Sequence, residues 1–272
     1  MFWTGGVLGV EAPAAEIAAS VRSLGVSCGQ IGVHAPDLGD ATVDAWRSAL
    51  DENGITVESA FPGFTGESYA SIPNCAATVG YVPPATRDER EQRSYAVSDF
   101  ARKLGIGGLA THIGCVSEDR ADPEYIAIRD LVRRVCDHCA GNDQTFALET
   151  GQESATALKE FIADVDRPNL GVNFDPANMI LYGSGEPIEA LETVKDHVIS
   201  VHCKDGTRPE VKGEWGKETP LGAGDVGMER FVAKLKSIGY RGSLTIEREI
   251  VGDQQRADIM EAIALLNRLR AQ

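Results

Sequence analysis

Along this chain, short runs rich in Val, Ile and Leu alternate with longer segments of helical period, and the alternation repeats eight times. The apolar runs fall at 6–10, 29–34, 55–61, 108–114, 145–149, 170–174, 198–203 and 243–247. Segments of helical period occupy 14–24, 41–53, 88–104, 123–140, 154–165, 187–197, 228–238 and 255–270. Gly25, Gly54, Gly105, Gly141 and Gly239 stand where five of these should stop, since glycine takes the left-handed conformation at little steric cost. Eight strand-helix units in 272 residues predict an α/β fold, a single (β/α)8 TIM barrel occupying 1–272 as one domain, because closure buries both faces of each strand and removes the sheet edges. An open doubly wound sheet is the alternative, and no GxGxxG follows the first run to support it.

Charge and composition narrow the partners. With 43% hydrophobic and 25% charged residues the chain can bury an ordinary core. A formal charge of −15 repels polyanions, and no basic patch offsets it, so nucleic acid is not an expected partner. The opening MFWTGGVLGV lacks the basic residues and long apolar run of a secretory signal, and no stretch approaches the roughly 18 apolar residues of a membrane span. The expected location is the cytoplasm, with no membrane partner. Six cysteines lie scattered apart from Cys136 and Cys139, and one CxxC inside a helical pattern reads as helix-face thiols in a reducing compartment.

The chemistry collects at the ends of the later apolar runs. FALET ends at Glu149, VNFD at Asp175, ISVHCKD carries His202, and LTIERE carries Glu247. A closed barrel turns such positions toward one axis. Three carboxylates brought together in a partly dry site raise one another's pKa, and a divalent cation removes that conflict. Three carboxylate oxygens and one imidazole nitrogen suit one Mn2+ ion, or Mg2+ or Co2+, in near-octahedral geometry with about two positions left for substrate oxygens. Zn2+ suits the set less well, with one nitrogen and no sulfur. Taken singly, each acid could instead cap the helix that follows it.

With these residues in place, the chain resembles the xylose-isomerase-like barrels, a family of sugar isomerases and epimerases, inosose dehydratases and apurinic endonucleases. The resemblance rests on LET at Glu149, NFDPAN at Asp175 and Asn178, VHCKD at His202 to Asp205, PLGAGDV at 220–226 and IERE at Glu247, and it covers nearly the whole chain. It implies that Glu149, Asp175, His202 and Glu247 bind one Mn2+ or similar ion, and that Glu149 and Glu247 also move protons. Related barrels often form dimers or tetramers, so a homo-oligomer is possible. Many epimerases of the family carry histidine where this chain has Asn178, which can hydrogen-bond a sugar hydroxyl but cannot shuttle a proton. The endonucleases hold three zinc ions with further histidines there and beyond His202; this chain has none, which argues against DNA repair.

Epimerisation beside a carbonyl needs a proton removed from carbon, and a metal on the carbonyl and hydroxyl oxygens stabilises the enediolate. Two glutamates on opposite faces of the substrate would invert the centre, whereas one acting twice would isomerise. The alternatives are a dehydratase, in which the enediolate expels a β-hydroxyl, and a non-catalytic sugar-binding barrel. His112 in the fourth run, His34 at the end of the second, Lys204 and Asn178 are candidate contacts to the carbohydrate substrate. Arg248 and Glu249 pair with neighbours or touch the substrate, and Glu153 reads as the cap of the helix near Ser154. Two long connections, 62–87 and 205–227, are candidate lids, the second bringing Trp215. No glycine-rich phosphate cradle stands near 247–255, so a neutral polyol or keto sugar is expected.

Overall fold

A computed structural model of the protein describes residues 13–272, so the run at 6–10 lies outside the described residues. The other seven runs are strands of one parallel sheet that curves into a nearly closed barrel: β1 (Cys28–Val33), β2 (Thr56–Pro62), β3 (Gly108–Thr111), β4 (Thr145–Glu149), β5 (Leu170–Phe174), β6 (Val198–Cys203) and, skipping a surface ribbon, β9 (Thr245–Ile246). The ribbon is an antiparallel pair, β7 (Asp205–Thr207) with β8 (Lys217–Thr219), and it belongs to the connection at 205–227.

Side-chain alternation divides each strand into an inside and an outside. On β5 and β6, Phe174, Val201 and Cys203 point outward to the helices, while Asn173, Ser200 and His202 share the inner face; all six are buried. Phe174 stacks with Phe231 of α9 (Met228–Ser237), ring centroids 6.0 Å apart. That helix buries Met228, Phe231, Val232 and Leu235, the i, i+3, i+4, i+7 stripe that a barrel-covering helix needs. Each such side chain contributes about 1.5–3 kcal/mol on burial.

The remaining helices are α1 (Ala14–Ser23), α2 (Asp40–Asn53), α3 (Ile72–Thr78), α4 (Arg87–Lys103), α5 (Pro123–Gly141), α6 (Ala155–Val165), α7 (Pro176–Tyr182), α8 (Pro187–Val194) and α10 (Asp253–Ala271). Gly25, Gly54, Gly105 and Gly239 have positive φ as expected, but Gly141 stays helical and Asp143, at φ 56°, takes the left-handed turn instead. Ser154, not Glu153, caps α6, accepting from Ala157 N at 3.2 Å. Two short helices were not expected: α3, inside the connection at 62–87, and α7, immediately after Asp175. Both have 7 residues, too few for a periodic pattern to stand out. Among the described residues, no helix is long and apolar enough to cross a membrane.

Candidate metal centre

Parallel register sets the inner faces of β4, β5, β6 and β9 side by side: Glu149 lies beside Asn173, Asn173 beside Ser200, and His202 beside Thr245. Asp175 stands two residues beyond Asn173 and Glu247 two beyond Thr245, so both project from the inner face at the carboxyl end of the barrel. Glu149, Asp175, His202 and Glu247 thereby offer ligand atoms that all lie within 4.8 Å of one another. His202 Nδ1 is 3.0 Å from Glu149 Oε1, 3.1 Å from Glu247 Oε2 and 3.5 Å from Asp175 Oδ2.

These separations fit a hexacoordinate ion: ligands about 2.0–2.2 Å from Mg2+ or Mn2+ stand roughly 3 Å apart when adjacent. At Asp175 a helix cap does not exclude a place in the cluster. Its Oδ1 accepts from Ala177 N at 2.8 Å and Asn178 N at 3.1 Å, capping α7, while its Oδ2 is buried without a hydrogen bond and faces the cluster. One oxygen caps the helix and the other stays available to the cluster.

Mutual compensation sets the charges here. Burial opposes the charged form of His202, but the carboxylates of Glu247 and Glu149 override it and hold the imidazole well above its usual range. Burial likewise opposes ionisation of Glu247, yet Lys204 and His202 keep it well below the usual carboxylate range. For Glu149 burial prevails over the attraction of His202, and its carboxyl is raised. Lys204, buried but surrounded by Glu247, Glu249 and Asp175, is held well above the ordinary lysine value. Its Nζ lies 3.3 Å from Glu247, 3.1 Å from Glu249 and 3.9 Å from Asp175.

A cavity of about 390 Å³ opens over the cluster, within the ~300–1,000 Å³ typical of small-molecule sites. Glu149, Glu247, Lys204 and Asn178 form its charged and polar floor. Asn178 orients this floor: its Nδ2 donates to Thr150 O at 3.1 Å and Glu149 Oε1 at 3.4 Å, and its Oδ1 accepts from Lys204 at 3.4 Å. His112 and the aromatic rings of Tyr69, Tyr182 and Trp215 make the wall. Tyr182 meets Trp215 edge-on at 4.4 Å and stacks toward His112 at 6.2 Å. Gly114 N donates to His112 Nδ1 at 3.0 Å, which places the neutral ring's proton on Nε2. Burial, aided by the Lys204 charge, lowers the His112 pKa to about 4. Nε2 packs against Gly151, where an added Cβ would come within 2.3 Å. His34 is exposed and packs on Gly63 outside the lining of the cavity.

The ribbon that carries Trp215 is pinned at its base. Asp205 Oδ2 accepts from Gly222 N at 2.9 Å and Gly224 N at 3.1 Å, and its Oδ1 accepts from Val226 N at 3.2 Å. Gly224 must be glycine for this approach, since a Cβ would meet Asp205 Oδ1 at 2.3 Å. The glycine-rich PLGAGDV segment therefore cradles the chain's own carboxylate. Sequence reasoning passed over Tyr69, Tyr182 and Glu218 as cavity residues; Tyr182 follows from α7, whose apolar segment NMILY turns its last residue to the cavity.

A family model described as a xylose isomerase-like TIM barrel matches residues 18–269. A solved xylose isomerase domain protein from Planctomyces limnophilus is 46% identical, covering 93% of this chain and 91% of its own with a TM-score of 0.88. A xylose isomerase-like TIM barrel protein from Mycobacterium smegmatis, solved in complex with magnesium, is 20% identical with a TM-score of 0.68, covering 93% and 90% of the two chains. D-psicose 3-epimerase from Clostridium cellulolyticum H10, solved with D-tagatose, is 14% identical with a TM-score of 0.70 over 95% and 94%; these last two likenesses show the fold alone. An uncharacterized protein from Methanocaldococcus jannaschii is 31% identical over 98 residues, a match spanning 36% of this chain and about a third (32%) of that relative's length.

Proposed function

The chain belongs to the xylose isomerase-like TIM barrel family, and from that premise we propose that its whole length forms one barrel domain acting as a divalent-metal-dependent isomerase or epimerase of keto sugars or polyols. The observation that carries the reading is the convergence of three carboxylates and one imidazole within 4.8 Å at the floor of a cavity. The donor set fits a hard divalent ion, Mn2+ being the first expectation and Mg2+, Co2+ or Zn2+ the alternatives. When bound, such an ion acts as a Lewis acid on the substrate carbonyl and neighbouring hydroxyl, offsetting the charge that develops as a proton leaves carbon.

The chain's own residues supply the rest. Glu149 and Glu247 enter the site from different strands, so one can take the proton beside the carbonyl and the other deliver one. Lys204, tied to Glu247 at 3.3 Å, fixes the orientation of that carboxylate and adds positive charge where an enediolate would form. The rings of Tyr182 and Trp215 give the C–H face of a sugar an apolar surface and keep water from it. Support for a sugar substrate comes from the same-fold D-psicose 3-epimerase and its D-tagatose complex.

Proton NMR of a ketose, inosose and keto-glycoside panel in D2O with added Mn2+ or Mg2+ tests the proposal. Deuterium entering beside the carbonyl without loss of water is the expected result. Loss of water would make the protein a dehydratase, and a panel showing no exchange with the metal-loaded protein would remove the isomerase reading.

A further inference from the structure

His202 can offer a metal ion only a ring nitrogen that carries no proton, so the position of the proton decides whether the nitrogen facing the carboxylates is a ligand. Nδ1 is the atom that faces Glu149 and Glu247. On the far side of the ring, Nε2 lies 2.7 Å from Gln30 Oε1 and 3.1 Å from Asn173 Nδ2. A carbonyl oxygen has no proton to give, so the shorter contact places the proton on Nε2; Asn173 Nδ2 then gives that nitrogen no bond, and Asn173 takes part through its Oδ1. The Gln30 amide is held in that sense because its Nε2 donates to Asn173 Oδ1 at 3.1 Å, an oxygen that also accepts from Ser200 Oγ at 2.6 Å. Turning the amide over would lose this bond and set one carbonyl oxygen against another.

Gln30 comes from β1, Asn173 from β5, and Ser200 and His202 from β6, so this network crosses the barrel interior. That interior is ordinarily filled by bulky branched side chains. Here none of the four is more than 7% exposed, so water cannot replace a lost partner. A buried amide that loses its hydrogen bond is costly, which makes polar residues at these positions a poor choice for stability alone.

We propose that Gln30, braced by Asn173 and Ser200, is a positioning residue that fixes the Nε2–H tautomer of His202 and thereby sets the affinity of the cluster for a divalent ion. The proposal rests on the metal-centre reading given above. Outer partners of metal-bound histidines typically govern affinity by about 10–100-fold.

The experiment is isothermal titration of the full chain with Mn2+ and with Mg2+. Gln30→Met keeps the length and removes the acceptor, and its affinity should fall about 10–100-fold, whereas Gln30→Glu, which retains an acceptor, should recover most of it. Long-range 1H–15N spectra of the Mg2+-loaded wild type should show the proton of His202 on Nε2. Binding by folded Gln30→Met within about twofold of wild type, or a wild-type spectrum with the proton on Nδ1, would overturn the proposal. Should Gln30→Met not fold, Ser200→Ala carries the test: it loosens Asn173 and should weaken binding in the same direction, and unchanged binding counts against the brace. A wild type that takes up neither ion would end the metal-centre reading and this proposal with it; a wild type that binds, beside a Gln30→Met that binds equally, would end this proposal alone.

Discussion

His202 at the end of β6 and His112 just past β3 are both buried at the mouth of the same barrel, and their surroundings drive them in opposite directions. Around His202, the carboxylates of Glu247 and Glu149 outweigh burial and favour the cation. Around His112, among the described residues, no acid does this; burial and the charge on Lys204 leave the ring neutral down to about pH 4. The cavity is thus divided between a floor where each charge is answered by another and a wall where a neutral donor and aromatic rings face the ligand. Both rings are buried, so the carboxylates are what set the two imidazoles apart, favouring positive charge at one and leaving the other neutral.

The largest effects should come from breaking the floor. Glu149→Gln and Glu247→Gln each keep shape and hydrogen-bonding capacity but lose the proton-moving carboxylate, and each should lower kcat by about 10²–10⁴-fold. Solvent deuterium exchange tells the two apart. If one residue removes the proton and the other returns it, a single variant should lose exchange from one epimer while keeping it from the other; equal loss from both would assign both proton transfers to one residue. Asp175 sharpens the comparison further because its two oxygens have separate tasks. Asp175→Asn keeps a good helix cap but removes the anionic ligand, so metal affinity should drop at least as far as the ~10–100-fold seen for outer-partner losses, with little change in melting temperature. Asp175→Ala should lose affinity and, through the missing cap, about 1 kcal/mol of stability as well. Calorimetry and thermal melts of the two variants check this.

Much of this floor could be read in the chain, for a physical reason. Strand ends in a parallel barrel converge, so Glu149, Asp175, His202 and Glu247 stand out in the sequence as polar residues closing apolar runs. What lay beyond sequence was the pairing of side chains that share no local pattern. Gln30 meets His202 across 172 positions, and nothing in GQIGV names its partner. The wall was partly hidden for a different reason: Tyr182 sits on a 7-residue helix, and Trp215 on a ribbon whose shape depends on Asp205 gathering backbone N–H groups from residues 17 to 21 positions away. The end of α5 shows the limit of composition rules, since Gly141 was available as a stop and Asp143 took the turn.

On the wall, His112→Gln keeps a donor without the ring, while His112→Phe keeps the ring without a donor. Loss of one hydrogen bond to a neutral group contributes about 0.5–1.5 kcal/mol, so His112→Phe should reduce kcat/KM roughly tenfold or less, and His112→Gln by less again. The pH dependence of stability has a definite sign. A histidine with a folded pKa of about 4 and an unfolded value near 6.5 binds fewer protons folded than unfolded between those values. Its neutral burial therefore favours folding fully above that window and progressively less as the pH falls through it. Denaturant melts from pH 7 to pH 4 should show wild type losing more stability than His112→Gln; parallel profiles would mean the ring is not buried neutral.

The smallest effect should come from Trp215, and it is the one that separates wall from floor most cleanly. Its ring packs edge-on against Tyr182 at 4.4 Å and lines the cavity. A surface of this kind holds substrate and transition state alike, so its loss should raise KM and leave kcat nearly unchanged. Aromatic contacts of this sort are worth about 0.5–1.5 kcal/mol beyond area, which sets the expected rise for Trp215→Ala at roughly two- to tenfold. Because Asp205 pins the ribbon independently of the indole, the variant should melt with wild type. A fall in kcat at unchanged KM would instead place the ribbon among the parts that act during the proton transfer, and the division of the cavity into a reacting floor and a holding wall would have to be redrawn.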